Sequence, residues 1–265
     1  MNKLGFYCRL YALLFAQYVK TRMQYRFDFF ISNLTMIATN LAGMASLWIL
    51  MHNFPLLAGW KYEQLIFIYS FSLMAQTLLQ VCFDHIWQLR YHLNTGTFIK
   101  YYFKPINSLF YYLSEMVDLK GIGLFVCGAA AFVWSSVRLG IVWTPMRLLA
   151  LPVLLAGSSL LIASLLLIAA CGCFWVKDSY SILAFINSFR DQSRYPMDIY
   201  NTAFKAIFTF ILPMGFFAFY PARVFLEDSA LGWTAWASPV FGAFFFFIAV
   251  RIWEKGTKIW GGTGS

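Results

Sequence analysis

The chain has 265 residues, 61% hydrophobic and 12% charged, with a formal net charge of +9. Soluble domains carry about 25% charged residues, so the composition excludes an ordinary soluble domain and points to a membrane. The five cysteines are an odd number, and the Cys171–Cys173 spacing is not that of a CxxC redox pair, so buried inert thiols are expected rather than disulfides or metal ligands.

Residues 2–28 predict a helix. On a helical wheel Asn2, Arg9, Ala16 and Lys20 share one side, with Leu4, Tyr7, Tyr11, Leu14, Phe15 and Tyr18 opposite. Such an amphipathic helix lies along the cytoplasmic headgroups with its basic side chains snorkelling; the alternative is a cytoplasmic extension of the first span. Lys3 and Arg9 precede only a short apolar run with no small-residue cleavage pattern, so no cleavable signal peptide is expected.

Six apolar windows follow: 29–51, 65–83, 121–137, 148–174, 203–220 and 233–250. A ~30 Å hydrocarbon core needs about 20 helical residues, and a β-barrel would instead show short alternating segments. The predicted fold class is therefore an all-α polytopic membrane protein. It has six transmembrane helices in one membrane domain over residues 1–265, with an N-terminal amphipathic interfacial helix.

The connections differ in size. Residues 84–120 make the largest soluble-facing segment. The stretch 179–189, "SYSILAFINSF", is apolar but covers only about 16 Å at 1.5 Å per residue, so it predicts an interfacial helix or the tail of a long hairpin. The last outer connection opens with Pro221 and carries Glu227, Asp228, Trp233 and Trp236. Interfacial aromatics in such a loop predict short helices dipping back toward the outer leaflet.

The placement of charge orients this layout. With the N-terminus inside, the inner segments hold Lys3, Arg9, Lys20, Arg22, Arg26, Arg90, Lys100, Lys104, Lys120, Lys177, Arg190, Arg194, Lys205, Arg251, Lys255 and Lys258. The outer side keeps Lys61, Arg138, Arg147 and Arg223, sixteen against four. This positive-inside bias puts both termini in the cytoplasm and reads the basic excess as topology and attraction to anionic membrane lipids, not nucleic acid.

Catalytic signatures are missing. There is no GxxxxGK[ST], no HExxH and no GxSxG, and the terminal "GGTGS" has no following helix to aim amides at a phosphate. His85 and His92 are seven apart and could share a helix face, with Asp84 adjacent, but contact histidines are the default over a metal site. No cofactor is expected in this chain. A membrane-bound lipid-modifying enzyme using these histidines is a weak alternative. A secondary transporter or channel is the other, although no carboxylate sits at mid-span, where ion-coupled transporters place them.

Polar residues inside the windows are more telling. Tyr69, Ser72, Gln76 and Gln80 form one stripe of the second window, ending near Asp84, while Asn33, Asn40 and Gly43 fall close to one face of the first. Such groups avoid lipid, so they face other helices or a wet cavity. Asn33, Asn40, Tyr69, Ser72, Gln76 and Gln80 are therefore both candidate interhelical bonds and a candidate translocation path. Glu115, Asp118 and Lys120 cluster at the inner edge of the third window, where pairing is cheap.

The segment "RYHLNTGTFIKYYFKPIN" resembles the cytoplasmic segment of ABC-2 type permeases, with Arg90, Asn94, Gly96, Tyr102, Lys104 and Pro105 fitting the pattern. It departs in its aromatic "YYF" before Lys104, where an aliphatic turn is more usual. "RYPMDIYN" with "FTFILPMGFFAFYPARVFL", and the ending "WEKGTKIWGGTGS", resemble one subgroup of about 260-residue six-span permeases encoded apart from their ATPase. The resemblance implies the permease subunit of an ATP-binding cassette exporter in a bacterial cell (inner/plasma) membrane. Its expected partners are an ATPase subunit, which binds ATP and Mg, and a second permease, identical or a sister chain. It implies a coupling helix near 84–95, with Trp87, Arg90, Tyr91, Asn94, Gly96 and Pro105 as the ATPase-coupling residues. The substrate is unidentified; the aromatic-rich spans are consistent with an amphipathic or lipid-like molecule.

Overall fold

The computed structural model describes residues 3–24, 26–54, 56–119, 121–176, 178–227 and 233–260. Asn2, Lys120, Lys177, Asp228 and the terminal "GGTGS", on which some expectations above fall, lie outside the described residues. So do the side chains of Lys3, Leu4, Arg22, Arg26 and Trp233.

The described residues fold into α1 (Lys3–Gln24), α2 (Arg26–Asn53), α3 (Tyr62–Phe83), α4 (Leu89–Asn94), α5 (Ser108–Ser114), α6 (Gly121–Arg138), α7 (Pro145–Cys171), α8 (Tyr180–Gln192), α9 (Thr202–Ala206), α10 (Phe219–Leu226) and α11 (Trp233–Ile259). Five stretches are long and apolar enough to cross a membrane: Phe27–Asn53, Tyr62–Asn94, Gly121–Arg138, Pro145–Phe174 and Trp236–Ile259. They coincide with five of the six apolar windows. In α1, Tyr7, Leu10, Tyr11, Leu14, Phe15 and Tyr18 are half-buried while Arg9, Ala16 and Lys20 are exposed. Tyr7 packs edge-on against Phe110, and the Tyr11 hydroxyl contacts Cys82 Sγ at 3.9 Å.

The core lies on α3 and α7, with α6 packed on α3 and α11 on α7. The α7–α11 crossing is close because small residues line it. A Cβ on Gly157 would stand 2.6 Å from Pro239 Cα, and one on Gly242 would stand 2.7 Å from the Gly157 carbonyl. Lipid supplies no hydrophobic drive between helices, so dispersion contacts at such close approaches hold the bundle together.

Contacts define two ends. At one, the ledge, residues 84–119 meet the ends of α7 and α11: Phe98 touches Phe174, Trp253 and Trp260. At the far end, Trp60 packs on Phe219, Tyr62 on Trp134, and Trp143 on Phe225.

The structure departs from expectation at 203–220 and sets 180–198 against α7 and α3. Helix α8 starts at the ledge, where Tyr180 packs on Trp87. It then runs antiparallel to α3. Arg194 reaches Gln76 and Tyr69, and Asp198 accepts a hydrogen bond from Trp60 Nε1 at 3.2 Å at the far end. Helix α8 packs back on α7, so 172–192 is the returning arm of a hairpin, one of the two readings expected of it, and its continuation to Asp198 reaches the far end alongside α3. Conversely, 203–220 is not one spanning helix. Thr202–Ile211 is a short apolar helix whose last turn, Ile207–Ile211, is π-helical, and the chain breaks at Leu212 (φ −116, ψ 88) before Pro213. It returns through Met214–Phe216 and α10 to the far end, where Phe225 meets Phe67.

This hairpin dips to the middle of the layer. Its bottom carbonyl, on Phe216, accepts a hydrogen bond from Ser158 Oγ (3.3 Å), which also pairs with Ser238 Oγ (3.0 Å). Thr209 and Tyr220 hydroxyls, 2.9 Å apart, tie its two arms. A proline lacks the donor that would continue the ladder, and broken backbone inside a membrane persists only where protein groups satisfy it. The dip toward the core therefore comes at 202–226, earlier than the loop after Pro221 in which it was expected.

Candidate functional site

The end of α8 and the turn after it bring charge together: Arg190 and Asp191 stand on the last turn of α8 and Arg194 in the turn that follows. Both approach one carboxylate oxygen: Arg190 Nη2 lies 3.2 Å and Arg194 Nη2 2.9 Å from Asp191 Oδ1. Arg194 also donates to Gln76 Oε1 at 2.9 Å and to the Tyr69 hydroxyl at 3.4 Å, and its guanidinium lies 5.3 Å from the Tyr69 ring centre. Two cations on one anion leave the cluster with a net positive charge.

Beside this cluster is a partly open, mixed-polarity cavity of ≈ 260 Å³, lined by Met36 of α2, by Gln76, Leu79, Gln80, Phe83, Asp84 and Trp87 along α3, by Leu166 of α7, and by Asn187 and Arg190 of α8. Gln80 Oε1, Asn187 Oδ1, Arg190 Nε and Arg194 Nε are buried without a hydrogen-bond partner. Buried polar atoms are nearly always satisfied, so four orphans around one cavity and its arginine pair mark a place built for something else.

The stripe residues divide between packing and this cavity. Asn33 Oδ1 accepts from the Gly123 amide (2.8 Å), tying α2 to α6. Ser72 is fully buried and donates to the Tyr69 carbonyl at 2.6 Å. Asn40 Oδ1 accepts from the Tyr69 hydroxyl at 3.2 Å, which links α2 through Tyr69 to Arg194. Gln76 and Gln80 face the cavity. Reading the sequence window by window missed Asn187, Arg190 and Arg194, although their three- and four-residue spacing along 187–194 mirrors the stripe on α3.

The ledge holds the other group of candidate residues. The chain from Asp84 runs through a 3₁₀ turn, α4, and then Gly96 at φ +70, a left-handed turn that only glycine adopts without strain. Trp87 and Arg90 are engaged within the chain. Trp87 packs on Tyr180, and Arg90 pairs with Asp178 at 3.1 Å and lies 6.0 Å from the Tyr180 ring centre. Tyr91, Asn94 and Pro105 are exposed, as are Tyr102 and Phe103, the latter 80% exposed.

Beneath that surface the ledge is tightly cross-linked. Lys100 Nζ sits 2.5 Å from Glu115 Oε1, and the Tyr101 hydroxyl donates to Glu115 Oε2. Burial alone would raise the Glu115 carboxyl. The hydrogen bonds from Lys100 and Tyr101 and the Lys100 charge outweigh it and hold the group below its ordinary value. Burial, reinforced by the Glu115 bond, pushes the Tyr101 phenol well up. His85 and His92 stack on one another, their Nε2 atoms 3.2 Å apart. Among the described residues no group of three His, Cys, Asp or Glu side chains could hold a metal ion, and Cys8, Cys82, Cys127, Cys171 and Cys173 are all free thiols.

The described residues thus form a helical bundle with an arginine–aspartate cluster, a polar inner cavity and an exposed ledge. No curated protein and no solved structure matches the chain. A family model described as "ABC-2 family transporter protein" matches residues 34–264, nearly the whole chain. The chain is therefore a multi-pass membrane protein that belongs to the ABC-2 transporter family, whose membrane domains are typically non-catalytic permeases.

Proposed function

We propose that this chain is the permease subunit of an ATP-binding cassette exporter, driven by alternating access from a separate ATPase subunit that binds ATP and Mg. On this reading the ledge and both termini face the cytoplasm of a bacterial cell. The chain then crosses six times, α8 making the fifth crossing, and 202–226 re-enters from the outer side. Moving Arg190 and Arg194 into the layer and Lys205 to the outer side changes the basic count from sixteen against four to thirteen against five, so the positive-inside bias persists. Lys205 pairs with Asp198 at 2.6 Å, next to Trp60 at the far end.

The observation that carries the reading is the ledge. Tyr91, 59% exposed, and Phe103 stand on its surface, while Trp87 and Arg90 just beside them grip Tyr180 and Asp178 at the start of α8. Exposed aromatics flanked by basic groups suit an ATPase groove. Gly96 and Pro105 set the chain's exit and approach, and Asn94 lies at the end of α4. A push on α4 would thus travel through Trp87 and Arg90 into α8, which carries Arg190 and Arg194 along the candidate path of Asn33, Asn40, Tyr69, Ser72, Gln76 and Gln80. A second permease, identical or a sister chain, would complete the path. The broadly exposed α2 offers a face for it or for lipid.

The test is co-expression with an ATP-binding cassette ATPase. A Tyr91→Ala/Phe103→Ala chain is expected to keep its thermal stability but to lose the ATPase on purification, or to lose at least tenfold of its substrate-stimulated turnover. An intact complex with wild-type stimulation overturns the coupling assignment. Export by the chain alone, with no ATPase present, overturns the permease reading.

A further inference from the structure

We infer that the Arg190 end of the α3–α8 cavity binds an oxyanion, a phosphate or carboxylate, carried as the headgroup of an amphiphile. The inference rests on the permease reading only in making that amphiphile the transported molecule; the site itself rests on the geometry.

Three observations converge on it. Arg190 and Arg194 share a single carboxylate oxygen, so their cluster is one negative charge short of neutral. One more anion would relieve the like-charge contact between the two guanidinium groups. Arg190 Nε is buried and unpaired, and Arg190 lines the cavity. A guanidinium has five donors in a planar fork suited to carboxylate and phosphate. The charge is costly inside a membrane and marks a functional position there.

The remaining walls fix the rest of the ligand. Asn187 and Gln80, one on each flanking helix, place amides beside the arginine, with Oδ1 and Oε1 still lacking donors, ready for hydroxyls or a protonated phosphate oxygen. Met36, Leu79, Phe83 and Leu166 supply apolar wall for the start of an alkyl chain. Asp84 lies at the ledge end of the cavity and already has a partner, so it disfavours an anion there and leaves the Arg190 end as the favoured seat. At ≈ 260 Å³ the space falls just below the ~300–1,000 Å³ range of ligand pockets, fit for a headgroup and the first part of one chain.

The experiment is native mass spectrometry of the full-length chain released from dodecyl maltoside micelles, titrated separately with dodecyl phosphate, dodecanoate, dodecyltrimethylammonium and inorganic phosphate. One retained copy of dodecyl phosphate or dodecanoate is expected, at least tenfold weaker in Arg190→Gln and partly restored in Arg190→Lys. Retention of inorganic phosphate as strong as that of dodecyl phosphate assigns the site to a free anion and overturns the amphiphile. Equal retention of the trimethylammonium probe, or unchanged binding in Arg190→Gln, overturns the site. Should Arg190→Gln fail to fold, Gln80→Leu and Asn187→Leu keep both arginine–Asp191 contacts. Each is expected to weaken binding two- to fivefold, and unchanged binding in both overturns the site.

The measurement uses neither ATPase nor nucleotide. A chain that retains the probe but proves not to be a permease loses the function and keeps the site. A coupled exporter that retains no probe loses the site and keeps the function.

Discussion

Arg194 Nη2 stands 2.9 Å from Gln76 Oε1 although 118 positions separate the two residues along the chain. That bond joins the polar stripe of α3 to the charged turn that follows α8, and with the Tyr69 hydroxyl it fixes where the chain leaving α8 meets α3.

Breaking this link should cost stability. Arg194→Gln is expected to destabilise the protein by about 1–3 kcal/mol, since it takes the charged donor from the buried Gln76 amide. Gln76→Leu should cost a comparable amount by orphaning an Arg194 donor. Thermal unfolding of both single variants and the double variant measures the coupling, expected between about 0.5 and 3 kcal/mol. Strict additivity would remove the bond from the account of how α8 is held.

The topology is open to labelling. In a background without the five native cysteines, a cysteine at Lys205 should react with an impermeant maleimide from the outer side of intact cells. A cysteine at Tyr91 should react only after the cytoplasmic face is opened. Labelling of position 205 solely from the cytoplasm would restore 203–220 as a crossing.

The α7–α11 seam predicts a steric penalty. Gly157→Ala would place its Cβ 2.6 Å from the Pro239 backbone, which cannot swing aside as a side-chain tip could. Overpacking of this kind costs about 1–3 kcal/mol. Gly5→Ala in α1 meets nothing within 4 Å and should range from neutral to about 1 kcal/mol stabilising, through the glycine entropy it removes. Melting temperatures of the two variants in one detergent should move in opposite directions or differ clearly.

The ledge should loosen in acid. Glu115 is held below its ordinary carboxylate value, so its stabilising contribution is fully present above the unfolded-state value. That contribution is lost as pH falls through the lower folded-state value. Protease sensitivity of 94–120 should therefore rise in that acidic window in the native chain. Glu115→Gln should be more sensitive at neutral pH and show little further change on acidification. A native chain equally protected across the whole range would deny the Lys100–Glu115–Tyr101 cluster this role.

Much of the architecture was legible before any coordinates. The windows 29–51, 65–83, 121–137, 148–174 and 233–250 each coincide with a long helix, because each is apolar enough to prefer hydrocarbon on its own. The half-buried face of α1 was readable from the spacing of Tyr7, Tyr11, Leu14, Phe15 and Tyr18. The same local rule failed at 203–220, which is apolar throughout yet breaks at Leu212 before Pro213 instead of forming one long helix. The stripe on α3 was visible, but its partner was not: a helical wheel shows which groups share a face and says nothing of what stands opposite.

By itself, then, the amino-acid sequence determined the solvent this protein lives in, the five strongly apolar helices and the amphipathic face of α1. Each of these is settled by the transfer free energy of a local segment. How the weaker segments 179–198 and 202–226 lie against the bundle was decided only by the tertiary structure. There Gln76, Tyr69 and Asp191 hold Arg194 in place, while the break before Pro213, with Ser158 donating to the Phe216 carbonyl, turns the more apolar segment back.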